Sequence, residues 1–202
     1  MNGDIFNPEC DGIEGVIDAY KHAIRNVKLY GPTNFSEILK LVVDYTEAME
    51  VSQDNQKYNI LLIITDGIIS DMPETIDEIV RGSSMALSII IVGVGNANFD
   101  KMDELDADDT PLYSKRYKRK MAADIVQFVP FREFHSDPIA LARETLTEVP
   151  GQLIDFMKRQ HIVPKAASEF EKQKIQAQLA QKTAQQKQVG LENEPIDDFF
   201  GT

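Results

Sequence analysis

Two short loops carry the most specific chemistry in this chain. Gly31-Pro32-Thr33-Asn34-Phe35 places a hydroxyl beside a helix start, and Thr65-Asp66-Gly67 places a carboxylate at the end of the apolar run Asn59 to Ile64. One hydroxyl and one carboxylate at strand and helix ends suit a hard divalent cation, which takes oxygen ligands and keeps some of its water. The run before Asp66 is too short for an independent helix and rich in branched residues, so it reads as a strand buried on both faces. Ligands of open α/β sheets bind outside the carboxyl ends of parallel strands, where Thr65 and Asp66 would stand. Asp-Gly is also a common turn pair. Spacing alone leaves two roles for Asp66, ligand or turn former.

The flanking pattern supplies the elements that would position these loops. Asp11 followed by Glu14 resembles a capping box, and Ile13, Val16, Ile17, Tyr20, Ile24 and Val27 recur at helical spacing. Asn34 and Glu37 repeat the signal before Ile38, Leu39, Val42, Tyr45, Thr46 and Met49, with Tyr45 and Thr46 assigned to the inner face. Pro73 suits a first helical turn, Ile76, Ile79 and Val80 give that helix an inner face, and Gly82 suits its end. Leu87 to Val94 reads as a second buried strand and Ile125 to Phe131 as a third. Asp100 to Leu105 allows one or two helical turns, and Asp106 to Asp109 reads as a loop. Asp137-Pro138 is a capping residue followed by a proline at the first helical position. The helical pattern then runs through Leu141 and Leu146, pauses at Pro150-Gly151, and resumes to Met157. The expected architecture is α/β with a mostly parallel, Rossmann-like sheet and flanking helices.

Leu29 to Phe35, Leu61 to Met72, Ser88 to Gly95 and Asp124 to Arg132 together resemble the copines, in order and at family-like spacing, from about Asn2 to Lys165. The resemblance implies a von Willebrand A-like fold over residues 1–165, truncated at its amino-terminal side. Copines carry paired amino-terminal calcium-dependent phospholipid-binding domains ahead of that fold, so calcium would act only through domains absent from this chain. In von Willebrand A domains a magnesium or manganese ion is held by an Asp-x-Ser/Thr-x-Ser loop, a separate threonine and a separate aspartate. Thr33 and Asp66 match the latter two, and Gly31, Asn34 and Gly67 would flank them at a partner-binding edge. The first loop has no counterpart, since Asp44-Tyr45-Thr46-Glu47-Ala48 lacks the final serine and lies within a helix. The start at Met1-Asn2-Gly3-Asp4 resembles the interior of a copine domain, as in a fragment, a shortened isoform or an internal start. An incomplete metal site and an apolar sheet edge open to self-association are the expected consequences.

Composition bounds the remaining possibilities. The single cysteine, Cys10, permits neither an internal disulfide nor a cysteine-rich zinc module, which sets aside the ubiquitin-ligase activity of plant relatives. No stretch approaches the length of a membrane span. A net charge of −12 argues against nucleic acid as a partner. Lys115, Arg116, Lys118, Arg119 and Lys120 nevertheless put five cations into six residues, readable as a solvated loop or as a contact for anionic lipid. Residues 166–202 turn Gln-, Lys- and Glu-rich, as a marginal helix or a disordered tail whose end, Pro195 to Phe200, suits a short docking peptide. No phosphate loop, serine elbow or His-Glu-x-x-His pair is present. The expectation is a non-enzymatic, cytoplasmic module that binds cytosolic proteins and, in full-length form, meets membranes peripherally. The alternative is a metal-independent scaffold acting through its sheet edge or tail.

Overall fold

In the computed structural model the described residues are 7–28, 30–106 and 110–164, with Gln176 and Ala180. Their elements run α1 (Gly12–Asn26), α2 (Ser36–Glu47), β1 (Asn59–Thr65), α3 (Met72–Gly82), β2 (Leu87–Gly93), α4 (Asp100–Asp106), β3 (Tyr113–Ser114), β4 (Arg119–Lys120), β5 (Val126–Pro130), α5 (Phe131–Phe134), α6 (Pro138–Leu146) and α7 (Val149–Arg159). The chain divides into two units, Met1–His161 and Ile162–Thr202. The tail expected from residue 166 onward lies, apart from Gln176 and Ala180, outside the described residues.

The three apolar runs form one parallel sheet in the order β1-β2-β5. Central β2 is buried at all seven positions, as a strand covered on both faces must be. Register places Leu61, Ile89 and Val126 in one row and Ile63, Ile91 and Phe128 in the next. Those rows join Leu39 and Val43 of α2, Ile79 and Val80 of α3, and Met102 and Leu105 of α4 in the main core. On the opposite face Val149, at the start of α7, packs with Ile90 and Val92. Gln152 of α7 accepts a hydrogen bond at 2.5 Å from the buried Ser88 hydroxyl, which also bonds Tyr58 at 2.8 Å.

β1 departs from the expected double burial. Its alternate residues Ile60, Leu62 and Ile64 are 52, 53 and 66% exposed. Helix α7 covers the matching positions of β2 and leaves this outer row open. The apolar stripe of α1 is open too: Ile13, Val16, Ile17, Tyr20, Ile24 and Val27 are all exposed, and only Ala19 is buried. Helical periodicity gave α1 correctly, but an amphipathic stripe is buried only where another apolar surface meets it. Tyr45 likewise points outward from α2, whereas Thr46 is buried and bonds the Val42 carbonyl and the Asn59 side chain. Two boundaries shift: Phe131 opens α5 instead of closing a strand, and the second helical break falls at Thr147-Glu148, with Pro150 in the first turn of α7.

Gly93 ends β2 in a space that no side chain can share. A Cβ there would lie 2.9 Å from Phe99 Cζ and 3.0 Å from Phe128 Cε2, and both rings are buried. Gly93→Ala is therefore expected to cost about 1–3 kcal/mol through overpacking, read as a lower urea midpoint. A cost near zero would mean that the two rings move aside freely.

Candidate functional site at the carboxyl edge of the sheet

The loop after β1 and the loop before α2 meet at the carboxyl edge. Gly67 approaches Thr33 closely, since a Cβ on it would stand 3.0 Å from Thr33 Oγ1. The Ser70 amide donates to the Thr33 carbonyl at 2.9 Å, tying the two loops through their backbones. Thr65 is buried, with its carbonyl accepting from Val94 N at 2.8 Å and its hydroxyl accepting from Gly67 N at 3.3 Å. Gly31, Thr33, Asn34 and Asp66 are exposed, and Gly67 is half-buried between them. The two loops singled out from sequence thus share one surface although 33 positions separate Thr33 from Asp66.

Asp71 locks this arrangement, a role its place in the sequence does not announce. Its carboxylate accepts from Phe35 N at 3.0 Å, Ser36 N at 2.9 Å and Thr75 Oγ1 at 3.2 Å. One side chain thereby caps the start of α2 from outside that helix and fastens it to the start of α3. Asn34, the expected cap of α2, makes no capping bond; the N-cap position is Phe35. Burial alone would raise the Asp71 pKa, but the bonds from Ser36 and Phe35 outweigh it and hold the carboxyl below its ordinary value. The signal available in sequence was only a carboxylate before Met72-Pro73, which resembles a cap for α3 alone.

These groups supply the oxygen chemistry of a hard-cation site but too few ligands. Asp71 is committed to its three hydrogen bonds, leaving the Asp66 carboxylate and the Thr33 hydroxyl. Among the described residues no three His, Cys, Asp or Glu side chains cluster as a metal would require. Thr33 and Asp66 by themselves do not fit a resident magnesium or manganese ion, which takes about six oxygens.

The basic run lies elsewhere, on the β3–β4 hairpin. A second feature escaped sequence reading altogether: a cavity of about 970 Å³ beside that hairpin, floored by Met72, Ile76 and Leu112 and rimmed by Asp77, Asp103, Glu104 and Asp106. Its acids come from α3 and α4, so no local spacing betrays it. Burial first, then the neighbouring charges of Asp100 and Glu133, raises the Asp103 pKa.

A parallel α/β sheet flanked by helices, with paired polar loops at its carboxyl edge, defines a von Willebrand A-like module. A family model described as Copine matches residues 1–165. Nicotinic receptor-associated protein 1 of Caenorhabditis briggsae is 50% identical over 169 residues, covering 78% of this chain and 26% of that relative. The chain belongs to the copine family, and it spans about a quarter of the length of this curated relative. No described helix is long and apolar enough to cross a membrane.

Proposed function

We propose that this chain is a copine-type protein-binding module without catalytic activity, and that it docks partners on the edge formed by Thr33, Asn34, Asp66 and Gly67. Family membership supports protein interaction. The observation that carries the choice of surface is the closure of Gly67 on Thr33, which brings the loop of the exposed Thr33 hydroxyl against the loop of the exposed Asp66 carboxylate at the carboxyl ends of parallel strands. Such an edge offers a partner directional polar contacts on a rigid frame. Gly31 borders it. In a longer copine chain, calcium-driven attachment to membranes would bring partners held at this edge to the bilayer from the cytoplasm.

The relative's name identifies it as associated with a nicotinic receptor, so a solubilised nicotinic receptor is the probe of choice. Immobilised wild-type chain is expected to retain it, and Asp66→Ala to weaken retention about tenfold or more, the usual effect of losing a hydrogen bond to a charged group. Undiminished retention by Asp66→Ala would remove the edge from the interface. Chelation with the wild type is informative in the same assay. Retention that survives chelator supports direct contact with Asp66 and Thr33, and retention lost with chelator assigns them to a magnesium or manganese site completed by other oxygens.

A second reading rests on the open row of β1. Ile60, Leu62 and Ile64 lie on an edge strand, which can pair with another chain or a copy of itself. Under that reading Leu62→Lys, not Asp66→Ala, abolishes retention.

A further inference from the structure

We propose that the β3–β4 hairpin is a calcium-independent docking point for anionic phospholipid membranes, a function separate from the partner edge. Lys115, Arg116, Lys118, Arg119 and Lys120 are all exposed. Among the described residues, no salt bridge engages any of them, although the chain as a whole is strongly acidic. Lys115 also lines the acid-rimmed cavity, so the proposal rests on the other four.

The hairpin presents these cations on a fixed base. Tyr113 pairs with Lys120 and Ser114 with Arg119. The buried Ser114 hydroxyl donates to Asp77 of α3 at 2.5 Å and accepts from Tyr117 N at 2.9 Å. Below it, Met121 N donates to the carbonyl of buried Leu112 at 2.9 Å. The guanidinium groups of Arg116 and Arg119 lie 5.5 and 5.9 Å from the Tyr117 ring centre, within cation–π range. Less conformational freedom therefore remains to be lost when an anionic surface is met.

A membrane fits this patch better than an acidic polymer. Nucleic acid or an acidic peptide running beyond the hairpin would meet a body of net charge −12. A bilayer is a plane that a short ribbon touches at its tip. Repulsion from the rest of the chain is screened over about 8–10 Å at physiological salt.

The test is sedimentation of the chain with phosphatidylserine-rich vesicles and with pure phosphatidylcholine vesicles, in chelator at low and high salt. Binding to the anionic vesicles alone is expected, weakening as salt rises. K118Q/K120Q, which spares the tyrosine stack, should weaken it roughly 30-fold. K40Q/K57Q, an equal charge change elsewhere on the surface, should weaken it far less. The proposal is overturned by equal binding to both vesicle types, by no binding without calcium, by equal losses in the two variants, or by RNA or polyglutamate displacing the vesicles from the hairpin.

Discussion

Arg81→Met is expected to cost the fold about 3–5 kcal/mol, because it strands a buried carboxylate. Glu78 of α3 is only 5% exposed. Its Oε2 lies 3.3 Å from Arg81 Nε, close enough for strong attraction but not aligned as a hydrogen bond. Arg81 also reaches across to Asp44 of α2, so one guanidinium neutralises two carboxylates at the α2–α3 seam. Burial works against the charge on Arg81; the bond to Asp44 and the charges of Glu78 and Asp44 outweigh it and raise its pKa. Removing the cation leaves Glu78 without this compensation. Urea unfolding of Arg81→Met and of Glu78→Leu/Arg81→Met separates the effects. The single variant should lose several kcal/mol and the double variant recover most of it, since an apolar pair avoids the desolvation cost. A loss under 1 kcal/mol in the single variant would mean that Glu78 is solvated.

Asp71→Ala should cost about 2–4 kcal/mol, because hydrogen bonds to an ionised side chain contribute about 1.5–3 kcal/mol each and this one serves two helix starts. It should also loosen the Thr33 and Asp66 loops and lower partner retention without touching either residue. The pH dependence has a definite sign. A carboxyl whose folded pKa is depressed contributes stability above its unfolded value, near 3.9, and that stability is lost as pH falls through the folded pKa. Wild-type stability should therefore drop below about pH 4. Asp71→Asn, which keeps one acceptor but cannot titrate, should show a shallower drop. Identical acid profiles for the two proteins would show that Asp71 carries no linked stability.

The three strands of the parallel sheet and the longer helices were legible in the sequence because each depends on neighbours a few positions away; the β3–β4 hairpin and α5 were not. Pro73, Gly82 and the Asp137-Pro138 start mark helix ends through backbone chemistry, and Asp137 does accept from Ile139 N and Ala140 N. Burial was less legible. The same branched pattern produced the fully covered β2 and the half-open β1, because covering depends on which helix crosses which strand. The stripe of α1 was identified correctly and lies exposed for the same reason. At the site, Thr33 and Asp66 stood out by residue type and position. Asp71 did not, since its bonds to Phe35 and Ser36 bridge 36 and 35 positions. The cavity acids escaped because α3 and α4 contribute them separately.

The central claim is that partners dock on the edge where Thr33 meets Asp66. Amide hydrogen exchange of the chain, free and bound to the partner used in the retention assay, tests it most directly. Slower exchange in peptides covering Gly31 to Phe35 and Asp66 to Asp71, with α1 and Asn59 to Ile64 unchanged, is the predicted result. Protection confined to Asn59 to Ile64 or to α1, with both loops exchanging as in the free chain, would contradict it and place the interface on the open apolar face.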